Sequence, residues 1–288
     1  MMSKATKDTD ESTATGSRVT ELLRARYGAS NAFPDALAAT DVIEALLSHR
    51  SVRFYLPQPV PSTTLELAIA AAQSASSSSN LQAWSVVAVE DTARKARINA
   101  VAGNQNQVEQ APLLLVWLAD LSRARRIATA RSEPSSGLDY LESFLLAVID
   151  ATLAAQNAVT AFESLGLGTC YIGAIRNDPA TVAKELNLPD EVFPVFGLTV
   201  GYPDPAIKTD IKPRLLQSNV LHSEHYERDA ETGDLQRYNA VLHTFQKIQL
   251  MPSIDWTEQV SRRIGTKDAL KNRHELLSVV RKLGFGLK

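Results

Sequence analysis

Basic side chains cluster in the stretch LLSHRSVRFY, residues 46–55, where His49, Arg50 and Arg53 lie within five residues of one another without an acidic neighbour. Arginine presents paired N–H donors that match the oxygens of a phosphate or carboxylate group. The formal net charge of the chain is −2, which gives no reason to expect a nucleic acid, since such partners need a basic face. The cluster therefore predicts a site for a small anion.

A second basic pair, Lys212 and Arg214, flanks Pro213. The segment is expected to be extended, because a residue before proline avoids the helical conformation. Alone, the pair is typical of a solvated surface. Together with His49 and Arg50 it would complete an anion clamp, with arginine forming bidentate hydrogen bonds and lysine adding a point charge. The sequence does not establish that the two segments meet.

A serine tract, SASSSSN, residues 74–80, lies between an alanine-rich helical segment and a valine-rich strand segment. Such a tract is compatible with a flexible linker. It is equally compatible with a junction whose hydroxyls and backbone amides line a polar ligand. The local sequence does not decide between these two interpretations.

Other chemical motifs are weaker. Gly166 and Gly168 end a helical segment and lead into a strand, which is the reverse of the order in a dinucleotide-binding fingerprint, so a helix C-cap and a turn are favoured. No GxSxG, Walker or HExxH motif occurs in the sequence. Cys170 lies in an apolar segment without a histidine close in sequence, which predicts a buried structural residue.

The segment HSEHYE places His222 and His225 three residues apart beside Glu224 and Glu227. On a helix this spacing could bind a metal, but no third defined ligand or buried setting is indicated. A solvated surface segment is therefore expected, and no metal site is predicted.

The elements that position these residues follow from hydrophobic spacing. Helices are expected in SRVTELLRARYG, after Thr40 or Asp41, in PSTTLELAIAAAQ, on both sides of GNQ, in the long apolar LDYLESFLLAVIDATLAAQNAVTAFESLG, in PATVAKELNLP and in the last sixty residues. Strands are expected in WSVVAVED, LLLVWLAD, TCYIGAIRND and VFPVFGLTVGYP. These elements predict an α+β fold with helices around a small mixed β-sheet.

Composition points to a soluble protein of a reducing compartment. The 288 residues contain a single cysteine, so an intramolecular disulfide is excluded and a cytoplasmic location is expected. Residues 1–17 are polar and read as a disordered tail. No uninterrupted apolar run has the length of a membrane-spanning helix, so no membrane partner is predicted.

Six segments together resemble one family. HRSVRFYLPQPVP, SASSSSNLQ, GNQNQVEQAP, QNAVTAFESLGLGTCYIGAIRN, FPVFGLTVGYP and KPRL occur in the order and spacing of the flavin-dependent nitroreductase superfamily, and resemble most the oxygen-insensitive NADPH nitroreductases and NADPH-flavin oxidoreductases. The resemblance covers residues 41–226 strongly and the C-terminal helices loosely. It implies a single FMN-binding domain over residues 41–288, preceded by an extension over residues 18–40.

The resemblance also implies a homodimer with FMN at the subunit interface. The long apolar helix would then belong to that interface. Electrons would pass in a ping-pong reaction from NAD(P)H through FMN to a nitroaromatic, quinone or flavin, so no side chain is expected to act as nucleophile or general base. The alternatives are an FMN-binding storage or regulatory protein, or a specialised reductase such as one for chromate or disulfides.

Site residues follow from the resemblance position by position. Those matching FMN-binding positions are His49, Arg50, Ser51, Val52, Arg53, Ser76, Ser77, Ser78, Leu81, Gln105, Tyr171, Ile172, Gly173, Ala174, Lys212 and Arg214. The early part of HRSxR and the KPR pair would hold the phosphate end, whereas Arg53 would lie beside the ring. The serine tract would come from the partner subunit, and Ser79 and Asn80 would contact the substrate.

Three departures from the family pattern bear on specificity. The family's loop of several arginines, which reads the NADPH 2′-phosphate, is replaced by FQKIQLMPSIDW, where Lys247 is the single cation. NADH use is therefore an open hypothesis. Asn80 replaces a bulky apolar residue and predicts a more polar acceptor pocket, and Ala174 replaces a glycine.

Overall fold

The structure is a computed structural model that describes residues 18–28, 39–228 and 233–288. The predicted disordered tail, residues 1–17, lies outside the described residues. Residues 29–38 of the predicted extension also lie outside them.

The described part of the chain falls into two compact units. The first holds the described residues up to Arg50 together with Lys208–Ala269, and the second holds Ser51–Ile207 and Leu270–Lys288. The boundary between Arg50 and Ser51 falls inside the HRSxR motif. The division into a tail, an extension and one domain over residues 41–288 stays a prediction.

The second unit is built on a β-sheet. Its strands are β1 (Trp84–Val89), β2 (Leu113–Asp120), β3 (Gly168–Ile172) and β4 (Val192–Gly201), in the order β1-β2-β4-β3. Neighbouring strands all pair antiparallel, so the expectation of a mixed sheet was wrong in this respect. Apolar runs predict that a strand is buried, but they carry no information about strand direction.

Helices cover both faces of this sheet. In the second unit they are α3 (Ser62–Gln73), α4 (Thr92–Val101), α5 (Asn106–Gln110), α6 (Ser122–Ala130), α7 (Leu141–Ser164), α8 (Pro179–Glu185) and α11 (Leu276–Lys282). Odd-numbered residues of β2, such as Leu115 and Trp117, pack in a cluster with α3 and α7. Even-numbered ones, such as Val116, pack with α4 and α8. Burial on both faces explains the continuous apolar run of β2 and contributes roughly 1.5–3 kcal/mol for each large side chain.

The first unit is helical. Its helices are α1 (residues 18–27), α2 (Asp41–Leu47), α9 (Asp234–Ile248) and α10 (Trp256–Ile264). Thr40 caps α2 as expected, its side chain accepting a hydrogen bond from Ile43 N. The α+β fold class is thus confirmed by helices in both units and by the sheet of the second.

By length and composition α7 could cross a membrane, and it is the one helix among the described residues with this property. It packs instead against α3 and β2. The carboxylate of Asp150, near its middle, is buried and hydrogen-bonded to a neighbouring loop. One face of α7 is therefore packed in the interior of the second unit.

Candidate functional site

The first half of HRSxR follows the end of α2. Ser48 forms the C-cap of this helix, donating its backbone N–H to Glu44 O at 2.9 Å. His49 is half-buried and Arg50 is exposed directly after the cap. The basic cluster therefore begins directly after the C-terminus of α2.

The KPR segment lies in the same unit. Lys212 and Arg214 are exposed, whereas Pro213 between them is buried. The carbonyl of Pro213 accepts a hydrogen bond of 3.0 Å from the buried hydroxyl of Tyr238 on α9. Burial raises the pKa of Tyr238, and the positive charge of Arg214 acts in the opposite direction, so the hydroxyl stays a neutral donor near this cation.

One side chain connects the two basic segments. Arg26, at the end of α1, donates from Nη2 to the carbonyl oxygens of Leu47 at 2.9 Å and His49 at 3.0 Å. Its Nη1 donates to the carbonyl of Lys212 at 2.9 Å. The backbones of the two segments therefore come within reach of a single guanidinium, which the sequence could not establish.

The second half of HRSxR is attached to β3 in the second unit. Ser51 forms a parallel bridge with Thr169, and Val52 N donates to Thr169 O at 2.9 Å. The side chain of Val52 packs on Gly168, where a Cβ would lie 2.5 Å from a valine methyl group, so only glycine fits there. Because the Val52 side chain is buried, only its backbone is offered to a ligand.

Arg53 is exposed beside this strand. Burial raises the pKa of the Cys170 thiol, and the nearby charge of Arg53 partly opposes that rise. The thiol therefore stays protonated, and Cys170 is buried, as the sequence predicted.

The predicted ring-contacting segment spans the end of β3. Tyr171 and Ile172 belong to the strand, whereas Gly173 and Ala174 begin a 3₁₀ turn over Gly173–Asn177, so β3 covers only the first part of the segment TCYIGAIRND. The turn breaks the ladder because Ile172 leaves β geometry, with ψ at 80°. Tyr171 is exposed, and its ring meets Phe196 edge-on at 5.1 Å.

Gln105 precedes α5 and is held by the side chain of Asn99. Asn99 Oδ1 accepts from Gln105 N at 2.8 Å, and its Nδ2 donates to Gln105 O at 3.1 Å. The Gln105 side chain donates to Ala102 O at 2.9 Å and accepts from Gln107 at 2.7 Å. One amide hydrogen of Gln105 remains for a ligand, since the side chain carries two.

The serine tract is an ordered turn. Ser79, Asn80 and Gln82 all adopt positive φ, between 48° and 54°, a conformation that non-glycine residues hold only when surrounding contacts fix it. Asp150 of α7 supplies such contacts by accepting hydrogen bonds from Ser77 Oγ at 2.8 Å, Ser78 N at 3.2 Å and Ala83 N at 3.1 Å. The flexible-linker interpretation was therefore wrong.

The hydroxyls of the tract differ in what they can offer. Ser77 Oγ donates to Asp150 and accepts from Gln82 N at 2.8 Å, so it is engaged in holding the turn. Ser76, Ser78 and Ser79 are exposed, as is the apolar side chain of Leu81. These side chains remain available for a ligand or a partner surface.

Arg26 and Asp150 were both missed by reasoning from the sequence. Asp150 left a signal, because an acidic residue in the middle of an apolar helix must find a buried partner. Arg26 left none, since nothing in LLRARYG marks this arginine as buried.

The charged side chains of the candidate site show whether it suits an anionic cofactor such as FMN. Within the described residues, the guanidinium groups of Arg50 and Arg214 donate only to backbone carbonyls at most two residues away in sequence, and no carboxylate pairs with either of them or with Arg53. Uncompensated guanidinium groups are the donor set that a phosphate dianion requires. The residues present therefore fit FMN.

The other candidate motif behaves as a surface segment. His222 Nδ1 accepts a hydrogen bond from Glu227 N at 3.3 Å, and its ring lies 4.5 Å from that of Tyr226. Residues 18–28, 39–228 and 233–288 contain no group of three His, Cys, Asp or Glu side chains that could hold a metal ion.

Comparison with known families identifies the class to which this fold and these motifs belong. Residues 46–202 match the model described as "Nitroreductase family", and residues 212–288 match "Nitroreductase family, C-terminal domain". The chain belongs to the nitroreductase family, and the resemblance recognised in its motifs is confirmed.

Individual relatives agree with this assignment. The chain is 39% identical over 208 residues to the FMN reductase (NADPH) of Bacillus subtilis, covering 72% of this chain and 81% of the relative. It is 42% identical to the oxygen-insensitive NADPH nitroreductase of Salmonella typhimurium, covering 64% and 74% respectively. The solved structure of B. megaterium NfrA2 superposes with a TM-score of 0.81 at 36% identity, covering 87% of this chain and all of that one.

Proposed function

We propose that this chain is an FMN-dependent NAD(P)H oxidoreductase that passes two electrons to a nitroaromatic, quinone or flavin acceptor. The observation that carries the proposal is that no carboxylate among the described residues pairs with Arg50, Arg53 or Arg214, which lie in motifs that match the family in order and spacing. Relatives named FMN reductase and NADPH nitroreductase support the same activity.

The phosphate end of FMN is assigned to five residues. His49, Arg50 and Ser51 follow the α2 C-cap, and Lys212 and Arg214 are the exposed cations of the KPR segment. Two arginines and a lysine neutralise a phosphate dianion, and the arginines add bidentate geometry.

The ring of FMN is assigned to Arg53, Gln105, the Val52 backbone and residues 171–174. When bound, FMN supplies the two-electron chemistry. The chain contributes orientation through backbone groups at the β3 end, and Arg53 contributes positive charge that stabilises negative charge on the nearby ring edge.

The acceptor side is assigned to Ser79 and Asn80. Both are exposed, and their left-handed backbone is fixed by the turn that Asp150 holds. Ser76, Ser77, Ser78 and Leu81 complete the FMN pocket from the partner subunit. A polar Asn80 favours acceptors with oxygen atoms over purely apolar ones.

A homodimer is supported by one face of α7. Leu141, Leu145, Ile149 and Leu153 recur every fourth residue and are 49%, 47%, 56% and 43% exposed. Side chains at this spacing form a continuous stripe along a helix. A long apolar stripe of this kind is typical of a surface that a partner covers, and a second copy of the chain is the partner proposed.

The location proposed is the cytoplasm. A nicotinamide-dependent reductase needs a cytosolic supply of its electron donor, and the single cysteine of the chain is buried and unpaired.

Flavin content tests the proposal. The purified full-length chain is expected to carry, or to take up, stoichiometric FMN with a visible flavin absorption band. A colourless chain that cannot take up FMN would overturn the proposal. A chain that binds FMN but is reduced by neither NADH nor NADPH would be a storage or regulatory protein instead.

A further inference from the structure

Arg26 belongs to the extension before the nitroreductase motifs, yet it lies among the residues assigned to the FMN phosphate. Arg26 is 7% exposed, and arginine is rarely buried unless its donors are satisfied. Its guanidinium donates hydrogen bonds to backbone carbonyls of the two basic segments.

These contacts act on both halves of the proposed clamp. Nη2 reaches the carbonyls of Leu47 and His49, which lie three residues and one residue before Arg50. Nη1 reaches the carbonyl of Lys212. One planar guanidinium thus sets the spacing between two chain segments that are more than 160 residues apart in sequence.

The backbone of Arg26 adds a further connection. Its carbonyl accepts a hydrogen bond of 2.8 Å from Arg214 N. With Tyr238 bonded to Pro213 O at 3.0 Å, the main chain of all three KPR residues is tied by hydrogen bonds. The side chains of Lys212 and Arg214 stay exposed on this fixed backbone.

Hydrogen bonds from a charged donor are stronger than those between neutral groups, and a rigid fork loses little entropy in making several of them. Holding the clamp in place before the ligand arrives lowers the cost of ordering it on binding. A purely structural role would stabilise the unit without favouring a phosphate-bearing ligand.

We propose that Arg26 is a positioning residue for the FMN phosphate, so that α1 of the extension is part of the cofactor site. The inference rests on the proposed function. It concerns the phosphate end only, because Arg26 contacts the segments that carry His49, Arg50, Lys212 and Arg214.

Riboflavin provides the discriminating ligand, since it has the ring and side chain of FMN but lacks the phosphate. The dissociation constants of both flavins are measured on the full-length chain freed of bound cofactor. Arg26→Met is expected to raise the FMN dissociation constant about tenfold or more, and to change that of riboflavin less than about twofold.

Arg24→Met is the matched control, because Arg24 is an exposed arginine on the same helix. It should leave both dissociation constants unchanged. Arg26→Lys keeps the charge but replaces the planar fork by a compact ammonium. It is expected to raise the FMN dissociation constant by a smaller factor than Arg26→Met does, and to leave that of riboflavin nearly unchanged. If Arg26→Met fails to fold, the ratio of the FMN to the riboflavin dissociation constant in Arg26→Lys, compared with the wild-type ratio, tests the inference instead.

If FMN binding and riboflavin binding were weakened equally, the inference would be overturned and Arg26 would have a structural role alone. An unchanged FMN constant in a folded variant would overturn it as well. Either result leaves the proposed function intact, because the wild-type chain would still bind FMN. A wild-type chain that binds neither flavin would overturn the proposed function together with this inference.

Discussion

At the scale of the residue, the arginines of HRSxR have different surroundings. Arg50 follows the α2 C-cap in the unit that also holds Lys212 and Arg214. Arg53 lies beside β3, close enough to affect the Cys170 thiol. The motif could be found from sequence, but this division could not, because it depends on where the chain passes from one unit to the other.

Replacing each arginine by alanine tests the division. Arg53→Ala should lower the midpoint potential of bound FMN by roughly 30 mV, equivalent to about 1.4 kcal/mol for a two-electron couple, because positive charge beside the ring favours its reduced, negatively charged form. Arg50→Ala should weaken FMN binding and leave the potential unchanged. Potentials are measured by anaerobic titration against reference dyes. If both variants weaken FMN and neither shifts the potential, the assignment of Arg53 to the ring is wrong.

At the scale of the element, burial and spacing predicted most of the helices and the approximate position of every strand. β2 and α7 were clear because long apolar runs must be buried. Strand direction could not be predicted, since it depends on pairing between distant segments. Helix α6 was missed because SRARRIATA contains few apolar residues. The local sequence also could not predict that the serine tract forms an ordered turn, because Asp150, which holds the turn, lies more than 70 residues away from Ser77.

Removing the Asp150 carboxylate should show how the tract is held. Asp150→Ala leaves Ser78 N and Ala83 N without their buried acceptor, and should lower the free energy of unfolding by about 2–4 kcal/mol. Urea denaturation measures this loss, and hydrogen exchange should show faster opening of residues 77–83. Thr152→Ala, at an exposed position of the same helix, should change stability by less than about 0.5 kcal/mol. A similar effect in both variants would contradict the role of Asp150.

The loop between α9 and α10 bears on the nicotinamide donor. Gln246 fixes Ile254 by hydrogen bonds to its backbone N and O of 3.1 and 3.0 Å, and the loop contains no arginine. The values of kcat/KM for NADPH and NADH should therefore differ by less than about a hundredfold, which corresponds to about 2.7 kcal/mol. Met251→Arg should increase the NADPH preference and Met251→Gln should not. A wild-type ratio above that limit would mean that cations elsewhere read the 2′-phosphate.

At the scale of the whole molecule, the α7 stripe predicts the oligomeric state. In the described part of the chain, Leu145 and Ile149 remain 47% and 56% exposed. The double change Leu145→Glu and Ile149→Glu would bury carboxylates in the proposed interface, which is strongly unfavourable without partners. We expect a homodimer to become a monomer with reduced FMN content.

Sedimentation velocity at micromolar concentration distinguishes the two states. Ile127→Glu, at an exposed apolar position of α6, serves as the control and should remain dimeric. A wild-type chain that sediments as a monomer, or a doubly substituted chain that remains a dimer, would exclude α7 as the interface.

In the proposed reaction, bound FMN carries electrons from NAD(P)H to an acceptor. Rapid anaerobic mixing of the FMN-loaded chain with NADH or NADPH tests it most directly, followed by addition of a nitroaromatic or quinone. The flavin absorption is expected to bleach within the turnover time and to return when the acceptor is added. Flavin absorption that persists with both nicotinamides would contradict it.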